Sequence, residues 1–313
     1  MEPLFLKGVL QEKIWGGTKL RDEFGYDLPS ETTGEHWSIS AHPNGPATVK
    51  NGEHAGKTLT ELWASHRDLF GHQEGEVFPL LTKIIDAKND LSVQVHPDDE
   101  YGLANEGELG KTECWYVLAA DEGAEIVFGH NAETKEEFHE MIADGQWDKL
   151  LRSIQVKPGD FFYVPSGTVH AIGSGVTILE TQQSSDTTYR LYDYDRKDDA
   201  GNFRDLHINQ SIAVSMIPHV DPQPEMTVTK VDNSELKKLV SNDFFTVYEW
   251  IIKNSIAMER EGLYTLVSIV DGKGSIEVDG TSYPLEKGDH FLLPNEVDNW
   301  TFTGDLHIIA SHP

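Results

Sequence analysis

The sequence predicts a mainly β chain, built as two barrel-like units of strands with a few helices inserted in and between them. A repeated turn is the first sign. K-P-G-D-F-F-Y-V-P (Lys157–Pro165) resembles E-K-G-D-H-F-L-L-P (Glu286–Pro294), so that Gly159, Asp160, Phe162 and Pro165 match Gly288, Asp289, Phe291 and Pro294. Each copy reads as a Gly-Asp turn followed by a short apolar strand ending at Pro. Helical periodicity, the second sign, is confined to three stretches. The third is V-D-P-Q-P-E (Val220–Glu225), a linker-like run that divides a first unit, 1–225, from a second, 226–313.

Taken in order, residues 1–55 are rich in Gly, Pro and polar residues and read as short strands and loops. Thr58–Phe70 has helical spacing, with Leu59, Leu62, Trp63 and Leu69 on one stripe. Pro79–Asp86 is an apolar run interrupted by Lys83, which fits a buried strand. Glu133–Leu151 reads as an amphipathic helix with Phe138, Met141, Ile142 and Leu150 inward, and Leu206–Met216 as another. The rest alternates strand and turn.

Composition narrows the function. The 313-residue chain carries 53 acidic against 25 basic residues, a formal net charge of −28. Such a surface repels nucleic acid and anionic membranes, so neither is an expected partner. No run of 18 apolar residues suggests a spanning helix, and the N-terminus does not read as a secretory signal. The single cysteine, Cys114, excludes an intrachain disulfide framework and points to a reducing cytoplasm.

Two short segments carry the chemistry. Gln94-Val95-His96 places two neutral ligand-type side chains at i and i+2, on one face of a strand. G-D-F-F-Y-V-P-S-G-T-V-H (Gly159–His170) reads as turn, strand, turn and then a histidine. Together they suit a divalent metal. Five residues past the Pro, the first copy of the repeat has His170 and the second has Asn299, so the second unit is expected to hold no metal.

Gly159-x5-Pro165-x-Gly167-x2-His170 resembles the second signature of the cupin superfamily, with Ser174 where the terminal Asn usually stands. The first signature is altered to Gln94-x-His96, with Glu113 as acidic partner after an inserted loop, D-D-E-Y-G-L-A-N-E-G-E-L-G. The order L-S-V-Q-V-H-P-D, G-K-T-E-C-W-Y, P-S-G-T-V-H-A-I and Y-R-L-Y-D-Y-D-R is similar to the type I phosphomannose isomerase family in its shorter bacterial form. E-H-W-S-I-S-A-H-P (Glu35–Pro43) also resembles the N-terminal region of that family. The resemblance implies two cupin-type barrels, one Zn²⁺ per chain and interconversion of mannose 6-phosphate and fructose 6-phosphate.

The resemblance further implies that Gln94, His96, Glu113 and His170 are the metal ligands and Arg190 the active-site arginine. Imidazole and carboxylate suit zinc, and a fixed guanidinium can hold a sugar oxygen or phosphate. Lys83 and Lys111 match positions lining the pocket, Arg196 resembles a phosphate-binding position, and Ser92, a substrate-binding candidate, shares the strand face of Gln94. Glu180, in V-T-I-L-E-T-Q, resembles a pocket carboxylate; the alternatives are a general base or an ion-pair partner, with Arg190 as one candidate partner. Alternation places Thr188, Arg190 and Tyr192 on one face, and Cys114 opposite Glu113. A cupin dioxygenase using iron and a non-catalytic sugar-binding bicupin are the alternatives. The cationic cluster counts against the first, and only an isomer-exchange assay separates the second. The expected assembly is a monomer or weak homodimer.

Overall fold

The computed structural model describes residues 2–198 and 200–313. The chain is mainly β, with strands in a nine-stranded, a six-stranded and a five-stranded sheet. The expectation of two barrels is corrected in both units, because none of the three sheets closes on itself. The first unit is two facing sheets rather than one closed barrel, because the six-stranded and five-stranded sheets share no hydrogen-bonded strand pair. The second unit belongs to the nine-stranded sheet, in which the long strands Thr246–Glu259, Thr265–Val278 and Asn299–His312 lie side by side.

The N-terminus does not stay within the first unit. Leu4–Lys7 pairs with His290–Leu293 on one edge and Thr48–Val49 on the other. A continuous apolar core then joins the two ends of the chain, packing Leu4, Phe70, Phe78 and Leu179 with Phe245 and Tyr264. Val220–Glu225 forms no helix or strand.

Local chemistry explains where the helices stop. The stretch from Thr58 opens with a reciprocal capping box between Thr58 and Glu61, runs as an α-helix over Leu59–Ser65, and breaks at His66 into a 3₁₀ turn, Arg67–Phe70. Leu59, Leu62, Trp63 and Leu69 are all buried. The stretch from Glu133 divides into Lys135–Ala143 and Trp147–Leu150, because Gly145 adopts φ 65° between them. Ile208–Val214 is the third helix expected. The inserted loop contains a helix that was not expected, Asp99–Asn105, capped by the Asp98 side chain on the Tyr101 N–H.

Candidate active site

Register places the site. In the six-stranded sheet, Trp37, Lys83, Glu180 and Trp115 lie opposite one another on four adjacent strands. In the five-stranded sheet, Arg190, Gln94, His170 and Phe128 form a second row. The sheets face each other, and a cavity of about 310 Å³ lies between the rows. His96 enters two residues beyond Gln94, and Glu113 two residues before Trp115, both by strand alternation.

His96, Glu113 and His170 converge, with ligand-type atoms all within 4.8 Å of one another. Glu113 lies 3.3 Å from His170 Nε2 through Oε1 and 3.6 Å from His96 Nε2 through Oε2. Donors on a tetrahedral ion with bonds of about 2.0 Å stand about 3.3 Å apart. Each ring is oriented from behind. His96 Nδ1 donates to the Thr187 carbonyl at 3.0 Å and His170 Nδ1 to the Thr168 carbonyl at 2.8 Å, which turns both Nε2 lone pairs inward. His96 Nε2 and Glu113 Oε2 are buried without hydrogen-bond partners.

Electrostatics agree with that geometry. Burial drives His170 down to about 3 and His96 well below its ordinary value, so both imidazoles are neutral and free to act as ligands. Burial, with the neighbouring Glu180 carboxylate, pushes the Glu113 carboxyl up to about 8, although Lys111 and Lys83 oppose it. A cation among these three groups would reverse that penalty and satisfy the orphaned atoms. The donor set therefore fits a divalent metal. Gln94 lines the same cavity, and its amide nitrogen donates to the Ser92 carbonyl at 3.3 Å, leaving its oxygen as the available donor.

Lys83 is buried between two carboxylates, 3.5 Å from Glu180 Oε1 and 4.0 Å from Glu35 Oε2. Burial works to lower the ammonium, but Glu35 and Glu180 overcome it and hold Lys83 above its ordinary value. Burial likewise favours neutral Glu35, yet Lys83 and Lys13 hold that carboxyl at about 2. The indole N–H of Trp115 donates to both Glu113 Oε1 and Glu180 Oε2 at 3.1 Å and so ties the two carboxylates together. Glu180 Oε1 has no hydrogen-bond partner and faces the cavity residue Lys83. The ion pair of Glu180 is thus with Lys83 and not with Arg190.

Arg190 is half-buried on the cavity wall, donating through Nη1 to the Asp205 carbonyl at 2.8 Å while Nε has no partner. Burial, and then the nearby Arg204, pull its guanidinium below the ordinary arginine value. Ser92 and Lys111 also line the cavity, with Lys111 3.6 Å from Glu113. Arg196 does not. Its guanidinium is taken by Asp193 at 2.7 Å and by the Asp90 carbonyl, and Arg204, on the same carboxylate at 2.6 Å, faces the cavity instead. Tyr192 also departs from expectation, because a register shift follows Arg190 and sends its ring onto Trp147, 4.4 Å away. Cys114 points away from the site into the apolar core, as alternation requires.

Sequence reasoning missed Lys13, Glu35, Asp186 and Arg204 as wall residues. Glu35 was signalled only as a neighbour of Trp37 in a matched segment, and Arg204 arrives from a loop that no periodicity marks.

Comparison with known proteins now adds to the geometry. Residues 4–124 match the type I phosphomannose isomerase catalytic domain, and residues 235–313 the mannose-6-phosphate isomerase cupin domain. The chain is 60% identical over 311 residues to the mannose-6-phosphate isomerase of Streptococcus mutans, covering 99% of this chain and 98% of that one. The crystal structure of mannose 6-phosphate isomerase from Bacillus subtilis superposes with a TM-score of 0.98 at 50% identity over 100% of both chains. A phosphomannose isomerase variant from Salmonella typhimurium, 15% identical, shares the fold with a TM-score of 0.80 over 100% of this chain and 99% of that one. Full-length identity of this order, with both domains matched in order, means that the chain belongs to the type I phosphomannose isomerase family.

Proposed function

We propose that this chain interconverts mannose 6-phosphate and fructose 6-phosphate, with one divalent metal, zinc, held by His96, Glu113 and His170 and by the Gln94 amide oxygen. The observation that carries this reading is the convergence of two neutral imidazoles and an orphaned buried carboxylate inside a cavity walled by cations. Bound there, such an ion supplies Lewis acidity to a substrate oxygen.

The cavity wall has five cationic side chains, Lys13, Lys83, Lys111, Arg190 and Arg204, against four carboxylates. A divalent ion would raise the cationic excess to three, suited to a sugar phosphate of charge about −2. This local reversal stands against a chain of net charge −28. It disfavours an apolar substrate of the dioxygenase kind.

Isomerisation moves a proton between C1 and C2 through a cis-enediol. Three buried acceptors facing the cavity take no hydrogen bond, His96 Nε2, Glu113 Oε2 and Glu180 Oε1, and the first two would hold the ion. Glu180, ion-paired to Lys83 at 3.5 Å, is the carboxylate we assign to take the proton from one carbon and return it to the next. Lys83 holds Glu180 in place and, with Arg190 and Lys111, faces the negative charge that develops on oxygen. Arg204 and Lys13 complement the phosphate, and Arg196 supports Asp193, which orients Arg204. All these groups come from one chain, so we take the monomer as the functional unit; a lone, unpaired cysteine, Cys114, supports a reducing cytoplasm as its compartment.

A coupled assay for fructose 6-phosphate formed from mannose 6-phosphate, run before and after chelation and zinc readdition, tests the reading. Loss and recovery of turnover is expected. Turnover insensitive to thorough metal removal would overturn the metal's part, and none in zinc-replete protein would overturn the substrate assignment.

A further inference from the structure

The rings of His96 and His170 are oriented in different ways. The acceptor behind His170 is the carbonyl of Thr168, two residues back on the same turn. The acceptor behind His96 is the carbonyl of Thr187, 91 residues away in an irregular stretch between the strands Val176–Gln183 and Tyr189–Tyr192. A local acceptor comes with the turn. A distant one in irregular backbone must be held by something else.

The inserted segment Asp98–Gly110 supplies the hold. Glu108 Oε2 accepts three hydrogen bonds of 3.0 Å, from Ser185 Oγ, the Asp186 N–H and Thr187 Oγ1. Its other oxygen faces His42 Nε2 at 3.3 Å. Asp99 accepts from Gln183 Nε2 at 2.9 Å, and Glu106 from the Tyr189 hydroxyl at 2.7 Å. One short insertion thus grips the start, middle and end of the stretch that carries the His96 acceptor. Burial favours neutral Glu108, but the donors from Asp186, Thr187 and Ser185 overcome it and hold the carboxyl below its ordinary value.

We propose that the insertion fixes the tautomer and direction of the His96 ring from outside the metal shell, with Glu108 as its chief positioning residue. The inference rests on His96 being a metal ligand and deepens that reading. Neutral imidazole carries one N–H, and the group that accepts it decides which nitrogen is left for a metal. Glu108 takes the Thr187 hydroxyl directly and also holds Ser185 Oγ, which in turn accepts the Thr187 N–H at 3.2 Å, so its removal loosens both ties on the residue whose carbonyl faces His96.

Glu108→Ala and Glu108→Gln separate this role from simple stabilisation, because Gln keeps one acceptor oxygen for the three donors. Imidazole ¹⁵N resonances of metal-free protein should show His96 as the Nδ1–H tautomer in the parent and in Glu108→Gln, and a mixture in Glu108→Ala, with His170 unchanged. Zinc affinity, measured by competition with a chromophoric chelator, should fall about tenfold in Glu108→Ala and stay near the parent in Glu108→Gln. An unchanged His96 tautomer and zinc affinity in Glu108→Ala would overturn the inference. Should that variant not fold, Thr187→Val removes only the hydroxyl donor; it should weaken zinc by a smaller factor, and no change would be equally fatal. If the parent itself binds no zinc, the metal reading falls, while the tautomer measurement still decides whether Glu108 orients the ring.

Discussion

Around the cavity of the first unit, the inward positions of the strands carry Lys83, Glu180, Glu113, Gln94 and His170. In the second unit the space between strands is filled by Ile269, Ile276, Phe291, Phe302 and Leu306. The two units nevertheless share a turn. Gly159 has φ 90° and Gly288 φ 93°, a region open mainly to glycine. In each copy the Asp side chain accepts from the backbone N–H three residues earlier at 2.9 Å. In each, the Gly N–H closes on a neighbouring strand, at Val117 or Ile269. The same backbone device thus supports an apolar core or a charged cavity. Buried charge is costly to fold around. An apolar second unit, joined to the first through one continuous core, lets the first carry that cost.

The comparison breaks first if the polar interior is not what turns over substrate. His170→Ala removes one of the three converging groups proposed to hold the ion and opens a gap beside Glu113. Lewis-acid stabilisation is worth several kcal/mol, so kcat should fall by at least about 10³-fold, with zinc content dropping well below one per chain. Mass spectrometry of metal content and the coupled assay measure the two losses together. Retention of turnover with lost zinc would mean that the charged interior works without an ion.

Much of that interior was legible in the sequence. Gln94 and His96 were legible from strand alternation and His170 from the Gly-Asp-strand-Pro-Gly turn, whereas Glu113 was found only through the family resemblance. What the sequence hid lies where backbone rules are broken or where contacts are long-range. The register shift after Arg190 turned Tyr192 out of its expected face. Gly145 and His66 divided two helices that apolar spacing alone would run together. Asp193 holds both Arg196 and Arg204, and it is Arg204, brought in by a loop, that lines the cavity. The helix in the insertion had a readable signal, an Asp at the cap followed by Asp99 and Glu100 in the first turn.

A smaller effect tests how the two units are joined. Glu249 of the second unit is buried at the boundary, where it accepts from the Tyr116 hydroxyl of the first unit, from Lys237 at 2.9 Å and lies 2.9 Å from His307. Burial favours its neutral form, but His307, Tyr116 and Lys237 overcome this and hold it at about 2. A depressed carboxyl stabilises the fold above its unfolded value, about 4.5, and the contribution vanishes as pH falls towards about 2. Lys237 and His307 are partly exposed, so solvent screening reduces the contribution to about 2 kcal/mol. Urea unfolding of Glu249→Gln should show that gap at pH 7 and see it close below about pH 4.5. A gap independent of pH would show that packing, and not the carboxylate, joins the units there.

The smallest expected effect sharpens the comparison most. Asn299 occupies the place in the second repeat that His170 occupies in the first, so Asn299→His restores the ligand the repeat lacks. If one histidine at that point of the turn sufficed for a metal, the variant would bind a second zinc. A site needs several donors converging on one point, and those of the first unit come from strands whose inward faces are polar. Asn299 is exposed, and its neighbours Trp300 and Phe302 face an apolar core. Among the described residues, the only group of three or more His, Cys, Asp or Glu placed to hold an ion is that of His96, Glu113 and His170. The variant should therefore bind zinc with the parent's stoichiometry and differ in stability by less than about 0.5 kcal/mol, as surface substitutions do. A second bound equivalent, found by titration calorimetry, would mean that the shared turn itself builds most of a metal site and that the apolar filling of the second unit is no barrier to one.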